Sequence, residues 1–135
     1  MLPLADGDDL EFYGRIDRID VNGGGAESLL DYKTQAAKVI AERLSDDIQL
    51  PSYALLHGEA AQAAYVALDD DRGVSTVASG ADDAPLSVQA QAQGERLRTA
   101  FTALRARAPL PAHGVAGVCE WCAMSGLCRK DHVQS

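Results

Sequence analysis

Apolar and polar residues alternate from Arg15 to Val21 and, less strictly, from Glu27 to Thr34, with Asn22, Gly23, Gly24 and Gly25 between the two runs. A period of two marks a strand, and an Asn-Gly step between two such runs marks a hairpin. The pattern predicts strands over residues 10–21 and 27–34. Residues 36–44 have helical propensity. Ser45, followed by Asp46 and Asp47, reads as a capped helix start. Proline is tolerated only in a helix's first turn, so Pro51 places the regular helix from near Leu50 to His57, with Gly58 as its stop. Residues 63–68 and 73–78 read as paired strands joined by a turn over 69–72, followed by a polar loop over 80–85. Residues 86–108 form a long helix with Leu97, Ala100, Phe101 and Leu104 at core spacing, ended by Pro109 and Pro111. Residues 1–9 read as a flexible lead-in.

With the first loop centred on Gly24, Asp17 falls opposite Asp31, Ile19 opposite Leu29 and Arg15 opposite Lys33. Side chains two apart share a face, so Asp17, Asp31 and Lys33 project together, with directly paired Cβ atoms roughly 5 Å apart. Two carboxylates that close repel, so either one is protonated or a cation lies between them. Hard ions such as Mg²⁺ take carboxylate oxygens and keep several waters, which suits a phosphate substrate. A neighbouring lysine can orient water or stabilise charge on a phosphate. The sharp reading is a metal-dependent phosphodiester hydrolase, and the plain one is the solvated face of a charged hairpin. Spacing alone leaves both open. A slip of one residue would place Asp17 opposite Leu30 or Tyr32 and dissolve the site. Asp20, three positions from Asp17, lies on the other face and is not a ligand.

Gln49 and Tyr53, four apart, share a helix face. They either reach a substrate or orient the site, or else Tyr53 packs on the sheet with its hydroxyl satisfied. Arg96, Arg98, Arg105 and Arg107 cluster late in the long helix, where they complement its C-terminus, and read as a solvated face ahead of the alternative of phosphate contacts. At 135 residues the chain has room for a single domain, 1–135. No apolar run is long enough for a bilayer and no leader pattern is present, so a soluble cytoplasmic protein is expected, with no membrane partner. Cys119, Cys122 and Cys128 are too few and too close for a disulfide framework and fit metal ligation in a reducing compartment, in a cysteine-rich staple over 115–132. Three thiolates need a fourth ligand for zinc or an iron–sulfur cluster. His132 is the nearest candidate and His113 a weaker one. Trp121 is expected to pack the staple against the domain. The net charge of −8 argues against a stand-alone nucleic-acid binder.

GRIDRID at residues 14–20 followed by LLDYKT at 29–34 resembles the RecB-like branch of the PD-(D/E)XK nuclease superfamily. QLPSY at 49–53 resembles that branch's Gln-x-x-x-Tyr motif, and CEWCAMSGLC resembles the C-terminal cysteines of members with an iron–sulfur staple, notably the AddB-type nuclease. The likeness spans roughly residues 14–129. It implies a restriction-endonuclease-like α/β core, with a central mixed β-sheet flanked by helices and a cysteine-rich C-terminal tail. It implies Asp17 and Asp31 as ligands of Mg²⁺ or Mn²⁺, with the backbone carbonyl of Tyr32 completing the shell. Lys33 is then the catalytic lysine, Gln49 and Tyr53 support the substrate, and the cysteines hold a [4Fe-4S] cluster or Zn²⁺. The implied activity is exonuclease-type cleavage of DNA in end processing or recombinational repair, within a larger polypeptide or helicase–nuclease complex. The resemblance also lacks its usual upstream helix and cluster cysteine, so a C-terminal fragment is expected. The competing class is a non-catalytic, metal- or cluster-stapled interaction module.

Overall fold

In a computed structural model, which describes residues 1–5, 7–71, 73–79, 84–109 and 119–128, the alternating runs around Asn22 form the expected hairpin. The strands are Leu2–Pro3 (β1), Asp9–Leu10 (β2), Arg18–Val21 (β3), Glu27–Lys33 (β4), Gln62–Ala67 (β5) and Ser75–Ala78 (β6). The β3–β4 register pairs Ile19 with Leu29 and Arg18 with Leu30, as a loop centred on Gly24 requires. Asn22 fixes that loop: its Oδ1 accepts the N–H groups of Gly24 and Ala26 at 2.9 and 3.0 Å. Gly25 supplies the positive φ of 82°.

The sheet has the order β3-β4-β5-β6. β4 and β5 run parallel, with Asp31 beside Tyr65, and β6 returns antiparallel to β5. A parallel pair needs a crossover, here built from Ala37–Arg43 (α1), a 3₁₀ turn at Leu44–Asp46 and Gln49–His57 (α2). Leu29, Ala63, Tyr65 and Ala67 on one sheet face meet Ile40, Leu50 and Ala54 from the crossover and Leu86 and Ala90 from Leu86–Arg105 (α3). The result is the expected mixed sheet flanked by helices. None of the described helices is long and apolar enough to cross a membrane.

Several elements differ from expectation for identifiable reasons. The first strand is interrupted: β2 pairs with β1, and only Arg18–Val21 joins the main sheet. Between them the backbone crosses close to α2 at Gly14, where a Cβ would lie 2.9 Å from Leu56 Cδ1. Residues 1–5 and 7–9 are not a loose lead-in, because Leu2 and Leu4 are buried and β1 pairs with β2. The side-chain cap of α2 is Asp47 rather than Ser45: its Oδ1 and Oδ2 accept the N–H groups of Gln49 and Leu50, each at 3.1 Å. The helix consequently starts at Gln49, with Pro51 still in its first turn, and ends at Gly58 with φ 86°. The N-terminus of α1 is capped from afar by Asp70 Oδ2, which accepts Ala37 N–H at 3.2 Å.

The buried seam of α3 is Leu86, Ala90, Gln93 and Gly94, whereas Ala100 and Phe101 are exposed and Leu97 and Leu104 half-buried. Gly94 allows close approach, since a Cβ there would lie 3.2 Å from Leu55 Cδ1. The chain divides into two compact units, Met1–Thr102 and Ala103–Ser135. In the second, Arg107 takes a left-handed φ of 60° just past α3 and Ser125–Cys128 forms a single helical turn. Trp121 is 84% exposed there. Pro111, His113 and His132, and residues 80–83 of the polar loop, lie outside the described residues.

Leu29 is fully buried while its cross-strand partner Ile19 is 43% exposed. Leu29→Ala should therefore lower the stability of the chain by about 3 kcal/mol, against under ~1 kcal/mol for Ile19→Ala. Urea unfolding checks this through midpoints that shift at unchanged slope.

Candidate active site

Asp31 and Lys33 stand two apart on β4 and share the face that packs on α2. Asp31 is only 3% exposed, so its carboxylate must find partners within the protein. Its Oδ1 accepts Gln49 Nε2–H at 2.9 Å and the Tyr53 hydroxyl at 3.3 Å. Its Oδ2 lies 2.8 Å from Lys33 Nζ. That contact is ionic but off the hydrogen-bond direction, so buried Oδ2 has no hydrogen bond.

Lys33 is held from three sides. Its ammonium donates to Gln49 Oε1 at 2.8 Å, faces Asp31, and lies 4.9 Å from the centre of the Tyr65 ring. Gln49 thus bridges the pair, with its amide nitrogen on the carboxylate and its amide oxygen on the ammonium. The same Nε2 donates to Tyr53 Oη at 2.8 Å. Gln49 and Tyr53 converge because one helical turn separates them on α2.

Asp17 sits differently from the other two. The β3–β4 ladder ends at Arg18 and Leu30, one residue short of an Asp17–Asp31 pair, and Arg15 opposite Lys33 is likewise outside the ladder. Asp17 is exposed, and its Oδ2 accepts Tyr32 N–H at 3.1 Å, so a side chain takes the place of a strand-to-strand bond. Asp20 lies on the opposite face, where its carboxylate meets Arg18 Nε at 2.6 Å.

Two carboxylate oxygens here have the chemistry to serve a hard divalent ion. Asp31 Oδ2 is a buried carboxylate oxygen with an unused hydrogen-bonding direction. Asp17 lies on the adjoining chain segment with its second oxygen, Oδ1, outside the bond to Tyr32. Among the described residues no three of His, Cys, Asp and Glu converge. Two carboxylates with a largely aqueous remainder suit Mg²⁺, whereas zinc takes three or four protein ligands. By the same criterion Cys119, Cys122 and Cys128, none in a disulfide, are not gathered into a zinc or cluster site as placed.

Two members of this network escaped the sequence reading as site residues. Tyr65 is brought beside Asp31 by the parallel β4–β5 register. Its hydroxyl donates to Asp47 Oδ1 at 2.7 Å and lies 3.4 Å from Gln49 Oε1. Asp47 in turn caps the helix that carries Gln49, and the two acids before Gln49 were the signal for it. Burial, and then the hydrogen bond to Asp47, push the Tyr65 hydroxyl well above the ordinary tyrosine range.

A folded-state value raised above the unfolded one of about 10 means that the unfolded chain releases this proton first. Stability from Tyr65 is therefore fully present below pH ~10 and is lost as pH rises beyond it. Tyr65→Phe should cost about 1 kcal/mol at neutral pH. It should also decline less steeply than the wild type between about pH 10 and 12. Denaturant titrations across that range measure both effects.

No curated protein and no solved structure matches the chain. The sequence profile of the PD-(D/E)XK nuclease superfamily does, over residues 2–129. That span contains the whole sheet, the crossover helices and every residue of the network around Asp31. The chain belongs to the PD-(D/E)XK nuclease superfamily.

Proposed function

We propose that this chain is a Mg²⁺- or Mn²⁺-dependent deoxyribonuclease of the RecB-like type that hydrolyses DNA phosphodiesters, with exonuclease-type action in end processing or recombinational repair. The observation that carries the reading is the Asp31–Lys33 pair: a buried carboxylate oxygen without a hydrogen bond, 2.8 Å from a lysine ammonium. Asp17 and Asp31, with the backbone carbonyl of Tyr32, would hold the ion. When bound, a divalent ion supplies Lewis acidity and neutralises charge at the phosphate.

The chain's own residues do the rest. Asp31 cannot swing away, because Gln49 and Tyr53 hold Oδ1 and thereby turn Oδ2 outward from α2. Lys33 is pre-positioned by Gln49 and Tyr65, so its ammonium can meet a phosphate oxygen or an attacking water without first being ordered. Gln49 and Tyr53 thus support the site through Asp31. We place the protein in the cytoplasm, acting with a larger polypeptide or helicase partner that compensates for its net charge of −8. An iron–sulfur or zinc staple on Cys119, Cys122 and Cys128 would need those thiols to draw together with a fourth ligand.

Calorimetry with Mn²⁺ on the chain and on an Asp17→Asn, Asp31→Asn double variant tests the metal site. Binding is expected in the first and absent in the second, and equal heats from both would overturn the assignment. Lys33→Ala should reduce cleavage of linear DNA in Mg²⁺ or Mn²⁺ by at least about a hundredfold while circular dichroism shows the fold retained.

A further inference from the structure

Beside the carboxylate–lysine pair lies a recess of about 140 Å³, lined by Lys33, Gln35, Arg43, Asp47 and Tyr65 over Ile40. Most of its polar groups are already engaged. Lys33 is bound to Asp31 and Gln49. Asp47 accepts hydrogen bonds from Gln49 N–H, Leu50 N–H and the Tyr65 hydroxyl. Arg43, the last residue of α1, is different: among the described residues it makes no ion pair, although the chain carries 20 acidic residues against 12 basic ones. The exposed side chain of Arg43 thus borders the recess next to the proposed reaction centre, on a helix whose other end is pinned by Asp70.

We infer that Arg43 binds a backbone phosphate of the DNA adjacent to the one that is cleaved, with Lys33 serving the scissile phosphate; this rests on the nuclease reading above. The recess is open to solvent on one side and has room for a phosphate group. A guanidinium presents a planar fork of N–H donors that matches two phosphate oxygens at once. In a chain this acidic the long-range field does not gather DNA, so a single local cation carries a measurable share of the affinity. Arg43 is accordingly a substrate-binding residue rather than a catalytic one.

Fluorescence anisotropy with a labelled single-stranded oligothymidylate in Ca²⁺, alongside cleavage of the same oligonucleotide in Mn²⁺, tests this. Arg43→Ala should weaken binding about tenfold and make the dependence of log K on log salt shallower by about 0.7, one phosphate on a single strand. It should raise KM and leave kcat within about twofold. Arg43→Lys should fall between. Lys38→Ala, a charge lost from an exposed position of the same helix, should stay near wild type. Arg43→Ala binding like wild type, or Lys38→Ala weakening as much, overturns the inference and leaves the nuclease reading intact. Arg43-dependent binding without cleavage in Mn²⁺ supports the phosphate site and overturns the nuclease reading. A wild-type chain that binds no oligonucleotide overturns the inference.

Discussion

A carboxylate shut away from water at the centre of a sheet is the constraint around which this domain is arranged. An ionised group at that depth persists only with hydrogen bonds and a counter-charge. Asp31 receives both, from Gln49, Tyr53 and Lys33. Meeting that demand requires the N-terminal turns of α2 to lie against the C-terminal half of β4. The crossover between two parallel strands brings α2 there, Asp47 starts it at the right residue, and Tyr65 ties Asp47 to the sheet. The thin backbone at Gly14 lets the approach to β3 pass close over the same helix.

Within this arrangement the partners of Asp31 are also the partners of one another. Gln49 uses both ends of its amide, one on the acid and one on the base, and Tyr53 accepts from it while donating to Asp31. Networks of this kind respond as units, so truncating any member leaves others buried and unsatisfied. Oδ1 takes the hydrogen bonds from α2, and Oδ2 faces the Lys33 ammonium.

The local part of this was legible in the sequence. Asn22 and its glycines set the register that pairs Ile19 with Leu29, and a period of two then put Asp31 and Lys33 on one face. Helical spacing likewise united Gln49 with Tyr53. The non-local part was not. Tyr65 stands beside Asp31 only because β5 runs parallel to β4, and no short-range pattern specifies a parallel register. The seam of α3 was misread because it includes polar Gln93 and Gly94, which packs by having no side chain, and apolar spacing passes over both. The ribbon of β1 and β2 was missed because two-residue strands carry too little alternation to register.

The two carboxylates proposed to share an ion are held very unequally, and the inequality has a physical logic. Asp31 is buried and fixed by a network, so it defines position. Asp17 is exposed and spends one oxygen on the Tyr32 N–H at the point where the β3–β4 ladder stops. Had the ladder continued one residue further, that N–H would have lost its side-chain partner and Asp17 would have been committed to the pleat. Two rigid buried carboxylates side by side would repel each other strongly without an ion, raising the energy of the empty fold. Keeping one in solvent removes most of that penalty, because water screens the pair. The end of the ladder at Arg18 thus leaves Asp17 in solvent, where a proposed second ligand would repel buried Asp31 least.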